Sequence, residues 1–307
     1  MNPAPVAPLF DAHNHLQDPW LAPHRDRVLA DLRALRIRAC VINGTSEQDW
    51  PDVTTLCTHS DSQPSSLNAQ LTLLPSYGLH PWNVGNASPH WRETFLRILD
   101  AHPRAFIGEI GLDRWILDRA RPDDLRLTGL RRAPLAEQLD AFTWQLRLAA
   151  ERNLPVTIHC LDAWGALADV LRSTPLPPRG FLLHAYGGSA ELARDFTTLG
   201  AYFSFNGYFL GERQSAKRDV FRTLPLDRLL VETDAPAMPL PASHRTHELP
   251  GLADGNPINH PANLPAIYAA LAQLRDLSLG QLTTAVTQNF IRLFGPIPQP
   301  TTQNPKP

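Results

Sequence analysis

Ala105-Phe106-Ile107-Gly108-Glu109-Ile110-Gly111 is too short for an ordinary helix and too apolar for a strand with one wet face. A run of this kind, closed by glycine, suits a parallel strand buried on both sides. Phe181-Leu182-Leu183-His184-Ala185-Tyr186 reads the same way. With six further runs the pattern covers residues 9–16, 39–44, 71–79, 105–111, 155–161, 180–186, 201–206 and 229–233. Helical periodicity fills the gaps, most clearly over 135–152, where Leu135, Leu139, Phe142, Leu146 and Ala149 fall on one face. Further helices are expected over 26–35, 90–101, 163–172, 190–198, 262–274 and 279–293. Eight strand–helix alternations predict an α/β fold, a single-domain TIM (β/α)8 barrel. A doubly wound sheet would need a GxGxxG turn after an early strand, and the chain has none. The barrel is expected to fill residues 1–295, with a proline-rich, disordered tail over 296–307.

Working outward to composition, 43% of the 307 residues are apolar and 19% charged, which excludes general disorder. The 28 basic and 30 acidic residues leave a net charge of −2, so bulk charge would not coat a long duplex. The three cysteines, Cys40, Cys57 and Cys160, form no CxxC pair and point to a reducing compartment. Met1 to Leu9 lacks a basic segment followed by an apolar one, so no secretory leader is expected. No stretch is apolar and long enough to span a membrane. A cytoplasmic protein without membrane attachment or an obligate protein partner is the expectation.

The polar residues on the strands carry the chemistry. In Asp11-Ala12-His13-Asn14-His15, residues two apart share a face, so both imidazoles can reach one metal ion. Asp11 shares that face and is expected to orient one of the rings. Glu109 interrupts the fourth strand, His159 and His184 end the fifth and sixth, and Asp234 follows the eighth. Barrels keep their active sites at the C-terminal ends of their strands. Four histidines and two carboxylates placed there suffice for a two-metal centre if one carboxylate bridges. His80, closing the third strand, is expected to bind substrate. Tyr186, Asn206 and Glu232 also point toward that end. Trp82, Trp115 and Trp164 lie just past strand ends, where packing is the expected role.

Together these fragments resemble the TatD family of metal-dependent deoxyribonucleases, within the amidohydrolase-like metallo-barrels. The matching stretches are DAHNH at 11–15, GLHPW at 78–82, GEIGLD at 108–113, QLDAFTWQLRLA at 138–149, PVTIHC at 155–160, HAYGGS at 184–189, ETDAP at 232–236 and TQNFIRLFG at 287–295. The resemblance implies that His13, His15 and Asp234 bind one metal. It implies also that Glu109 bridges to a second held by His159 and His184. The activity implied is hydrolysis of phosphodiester bonds, as a 3′-to-5′ exodeoxyribonuclease acting on DNA strand ends or short single-stranded DNA. Glu109 and Asp234 would be catalytic, Asp234 accepting a proton from water. The cofactors would be two divalent ions, Mg²⁺ or Mn²⁺ in action, with Zn²⁺ suited to the same histidines.

Some positions depart from the family pattern. Leu161 follows the IHC stretch where relatives commonly carry arginine, and the RNEP-like segment is blurred around Arg245 and Asn256-Pro257. The insertion 114–132 carries six arginines, at 114, 119, 121, 126, 131 and 132. A solvated loop whose arginines pair with Asp118, Asp123 and Asp124 is expected ahead of a phosphate-gripping lid. The alternative enzyme class is an amidohydrolase or lactonase acting on a C–N or ester bond. Its members with a bridging carboxylated lysine need lysine on the fourth strand, where this chain has Glu109.

Overall fold

Strands and helices alternate in the order β1 (Leu9–Asn14), α1 (Arg25–Ala34), β2 (Ile37–Asn43), α2 (Trp50–Ser62), β3 (Thr72–Tyr77), α3 (Trp91–Ala101), β4 (Phe106–Asp113), α4 (Trp115–Asp118), α5 (Leu135–Arg152), β5 (Val156–Leu161), α6 (Trp164–Ser173), β6 (Phe181–Leu183), α7 (Ala190–Thr198), β7 (Ala201–Asn206), α8 (Ser215–Thr223), β8 (Leu229–Glu232), α9 (Leu264–Leu274) and α10 (Leu279–Phe294). The structure, a computed structural model, describes residues 8–62, 71–252 and 255–297. Most of the expected tail therefore lies outside the described residues.

All neighbouring strands from β1 to β8 pair in parallel and in chain order. The seam between β8 and β1 is drawn together just past the strand ends. There His15 N donates to Ala235 O at 2.8 Å and Asp234 N to His13 O at 3.0 Å. Asp11 fastens the same seam from the side, accepting from the Thr233 amide (3.0 Å) and the Thr233 hydroxyl (2.6 Å). The result is an eight-stranded barrel ringed by helices, the TIM barrel expected from the alternation. Among the described residues no helix is long and apolar enough to cross a membrane.

Local sequence explains the helix ends. Ser278 and Gln281 form a reciprocal capping box at the start of α10. Ser189 caps α7 by accepting from the Leu192 amide at 3.2 Å. Asn153 ends α5 at φ 51°, a left-handed conformation that asparagine tolerates.

Two glycines let the barrel close around Glu109. A Cβ on Gly78 would sit 2.4 Å from the Glu109 carbonyl oxygen, and one on Gly108 would meet Thr157, Asn43 and Ser76 within 2.9 Å. Close approach, rather than loop flexibility, is what requires glycine there.

Several elements differ from expectation. β4 runs two residues further, to Asp113; β3 and β6 stop at Tyr77 and Leu183, so His80 and His184 lie just past them; and the helices α2, α4 and α8 are additional to those expected. The insertion 114–132 builds a small apolar cluster of its own. Ile116, Ala120 and Leu127 are buried there against Trp82 and Trp115.

Candidate metal centre

The six proposed ligands and His80 converge at the C-terminal mouth, and Glu109 stands at their centre. Its Oε2 lies 3.4 Å from His13 Nε2 and 3.2 Å from His15 Nε2. Its Oε1 lies 2.8 Å from His184 Nε2, 3.1 Å from His159 Nδ1 and 3.4 Å from His80 Nε2. Asp234 Oδ1 completes the first group at 3.3 Å from His13 Nε2 and 3.4 Å from His15 Nε2. Three trios place a donor atom from each residue within 4.8 Å of one another: His13–His15–Asp234, His13–Glu109–His184 and His80–Glu109–His159. The Asp234 backbone sits at φ 54°, in the left-handed region where aspartate is among the tolerated residues.

Outer contacts decide which ring nitrogen faces the centre. His15 Nδ1 lies 2.7 Å from the Asn43 carbonyl oxygen, so this nitrogen carries a proton and Nε2 is the one that faces the centre. His159 has the opposite orientation. Its Nε2 lies 3.0 Å from Asp113 Oδ2, so Nδ1 is left facing Glu109 and His184. His80 Nδ1 accepts from the Trp82 amide at 3.2 Å, which places its proton on Nε2. His80 is thus a hydrogen-bond donor toward the centre, while His15 Nε2 and His159 Nδ1 face it as the atoms that could coordinate once they give up a proton. His184 Nδ1 lies 3.6 Å from Glu232, too far for a hydrogen bond; this buried carboxylate accepts from Ser204 and Asn206 instead.

Burial and charge act against each other across this cluster. Burial pulls the His15 and His184 pKa values down. The facing carboxylates outweigh it and hold both well above the ordinary range. His159 is pushed up to about 9, burial being overcome by Asp113 and Glu109. Burial would raise Glu109 and Asp234, but the imidazoles around each hold both below the usual carboxylate range. His80 goes the other way, because burial dominates and keeps it neutral.

This donor set fits a bound cation. His13 and His15 bring their Nε2 atoms to 3.1 Å of each other with two carboxylates alongside. That crowding needs positive charge between the donors, as protons or as metal. The buried His13 Nδ1 has no hydrogen-bond partner, which leaves that ring to be oriented by whatever its Nε2 holds.

Several residues behave differently from expectation. Asp11 reaches no imidazole; besides Thr233 it accepts from the His13 amide and from Asn14 Nδ2, so it braces β1 against β8. Tyr186 donates to the Ser189 carbonyl and packs on Phe203, away from the centre. Asn206 supports Glu232 instead of facing the histidines. Arg245 donates to the Leu240 carbonyl and Asn259 to the Thr233 carbonyl, so the loop after β8 is braced by its own polar groups. The insertion's arginines, by contrast, follow the expected pairing with nearby acids: Arg114 with Asp118, Arg121 with Asp123 and Arg126 with Asp124, while Arg119 meets Asp162, Arg131 meets Glu137 and Arg132 donates to two carbonyls.

Asp113 is the functional residue that the sequence reading missed. It is fully buried and accepts from Trp82 Nε1 (2.6 Å) and the Ile116 amide (3.0 Å) besides meeting His159. A longer fourth strand would have revealed it, since residues 109, 111 and 113 share a face.

A barrel with histidines and carboxylates gathered at its C-terminal mouth belongs to the broad class of metallo-barrel hydrolases. A family model, "TatD related DNase", matches residues 10–295, and the chain belongs to that family. It is 30% identical over 299 residues to the 3′-5′ ssDNA/RNA exonuclease TatD of Cronobacter turicensis, covering 93% of this chain and 97% of that protein. It is 28% identical over 289 residues to the uncharacterized metal-dependent hydrolase YcfH of Escherichia coli, covering 93% and 95%. Among solved structures, YjjV, a TatD homologue from Escherichia coli, superposes with a TM-score of 0.76 at 27% identity, covering 95% of this chain and all of that one.

Proposed function

We propose that this chain is a metal-dependent phosphodiesterase, a 3′-to-5′ exonuclease acting on the ends of single-stranded DNA. The observation that carries the reading is the division of Glu109, whose two oxygens face different sets of histidines. On this reading His13, His15 and Asp234 would hold one divalent cation, His159 and His184 would hold a second, and Glu109 would serve both. Mg²⁺ or Mn²⁺ suits the carboxylates, and Zn²⁺ suits the imidazoles. When bound, the pair would supply Lewis acidity, for activating water and for relieving charge on the departing oxygen.

The protein's own groups then divide the work. Asp234 stays ionised and can accept the proton of the attacking water. His80, neutral and protonated on Nε2, can donate to a phosphate oxygen lying over the centre. Asp113 and the Asn43 carbonyl lock the tautomers of His159 and His15, so no ring has to reorganise when substrate arrives. The relatives named as exonucleases acting on single-stranded DNA and RNA support this substrate class.

The test is direct. Protein stripped with EDTA and reloaded with Mg²⁺, Mn²⁺ or Zn²⁺ should shorten end-labelled single-stranded DNA from its 3′ end. The stripped protein should not. Turnover of amides or lactones by a protein that leaves every oligonucleotide intact would favour the amidohydrolase alternative instead.

A further inference from the structure

Among the described residues Lys217 is the only lysine, and it stands in an unusual position. It occupies the first turn of α8, where no acidic residue stands and no side chain caps the helix. A cation there opposes the helix dipole, so local stability does not explain it. Its side chain is half-buried, and among the described residues it makes neither an ion pair nor a hydrogen bond. The ammonium lies 5.4 Å from the centre of the Phe209 ring, and the nearest acid acting on it, Asp162, is paired with Arg119 at 3.4 Å. A phenyl face holds a cation far more weakly than a phosphate does.

The position of this ammonium is what gives it a use. A Cβ built on Gly187 would lie 3.0 Å from Lys217 Nζ and 3.4 Å from Cε, so the ammonium lies directly against the Gly187 backbone. Gly187 stands three residues past His184, and Asp162 three past His159. Lys217 therefore reaches the mouth among the segments that follow β5, β6 and β7, two of which come directly after the strands leading to His159 and His184. Burial also lowers the pKa of the ammonium, a cost that a bound anion would offset.

We infer that Lys217 binds a backbone phosphate of the polynucleotide strand, flanking the scissile bond. The inference rests on the nuclease reading and adds to it a residue that selects a strand over a small phosphate ester. No arginine of the insertion competes for the role, because each already has an acid or carbonyl partner.

The experiment is fluorescence anisotropy of a short labelled single-stranded oligonucleotide in EDTA over a range of salt, followed by kinetics with Mn²⁺. Lys217→Met should weaken binding on the order of tenfold and flatten the slope of log K against log salt by about 0.7, the share of one phosphate on a single strand. The loss should fall on KM rather than kcat, and Lys217→Arg should restore both affinity and slope. Wild-type affinity and slope in Lys217→Met would overturn the assignment while the nuclease reading stands on the wild type's cleavage. A wild-type protein that neither binds nor cuts the oligonucleotide would overturn both.

Discussion

Replacing Asp113 with asparagine should loosen one metal site without touching a ligand. The carboxylate accepts three hydrogen bonds, two of them on Oδ2 from His159 Nε2 and Trp82 Nε1, and one on Oδ1 from the Ile116 amide. Asparagine can keep its oxygen on the Oδ2 side, but its NH₂ then opposes the Ile116 N–H. One buried donor left unpaired costs about 1–3 kcal/mol of stability. The lost charge matters more for function. Without it His159 Nδ1 is a poorer donor, and loss of such an outer carboxylate weakens metal binding by roughly 10–100-fold. That is about 1.4–2.7 kcal/mol, at 1.36 kcal/mol per tenfold. Titrating the stripped variant with Mn²⁺ while recording nuclease rate should move the activation midpoint upward, with the rate recovering at saturating Mn²⁺. In the metal-free protein the His159 ring should titrate below its value of about 9, readable by NMR. An unchanged Mn²⁺ midpoint together with an unchanged His159 titration would refute this account of Asp113.

Glu109→Gln should cost more activity than alanine at His159 or His184, because one neutral amide replaces the charge shared by both groups of histidines. Metal analysis should find at most one ion per chain, and two ions with near-normal turnover would remove the bridge. Neutralising Arg121 and Arg126 together should leave KM and its salt dependence within about twofold of wild type, since both are occupied by Asp123 and Asp124. A steep rise in KM would revive the phosphate-gripping lid. Asp11→Ala strands the buried donors of Thr233, Asn14 and the His13 amide. It should lower unfolding free energy by about 4 kcal/mol, at roughly 1 kcal/mol for each of four bonds. Urea denaturation of the metal-free protein measures this directly, and a loss below about 1 kcal/mol would contradict the seam's importance.

The barrel was legible because most of its strands are short apolar runs, and runs of that kind need no tertiary information to be recognised. The central residues were legible for the opposite reason. Glu109, His159 and His184 are polar where everything adjacent is apolar. What escaped notice lacked such contrast. α2 is rich in threonine and serine, and its buried stripe is little more than Trp50, Val53 and Cys57, so the periodicity is weak. α8 has a single fully buried residue, Phe221. Asp113 fell outside a strand that seemed to end at a glycine, although Gly111 is held within the ladder against His159. Asp11 was placed on the right strand but given the wrong partner. Alternation tells which face a side chain occupies, whereas its nearest donors here come from Thr233, 222 residues away.

That distance along the chain has a consequence for how the protein is made. His13 and His15 are translated before strands β2 to β8, and Asp234 follows only after all eight strands. The seam that unites them joins the first strand to the last, closed by Asp11 and Thr233 beside those same residues, and it cannot form before β8 is made. A truncated chain, however well its early strands pair, has no complete first trio to offer an ion. On the proposed reading, capture of a cation there would have to wait for β8, and an unfinished chain would be kept from acting as a nuclease.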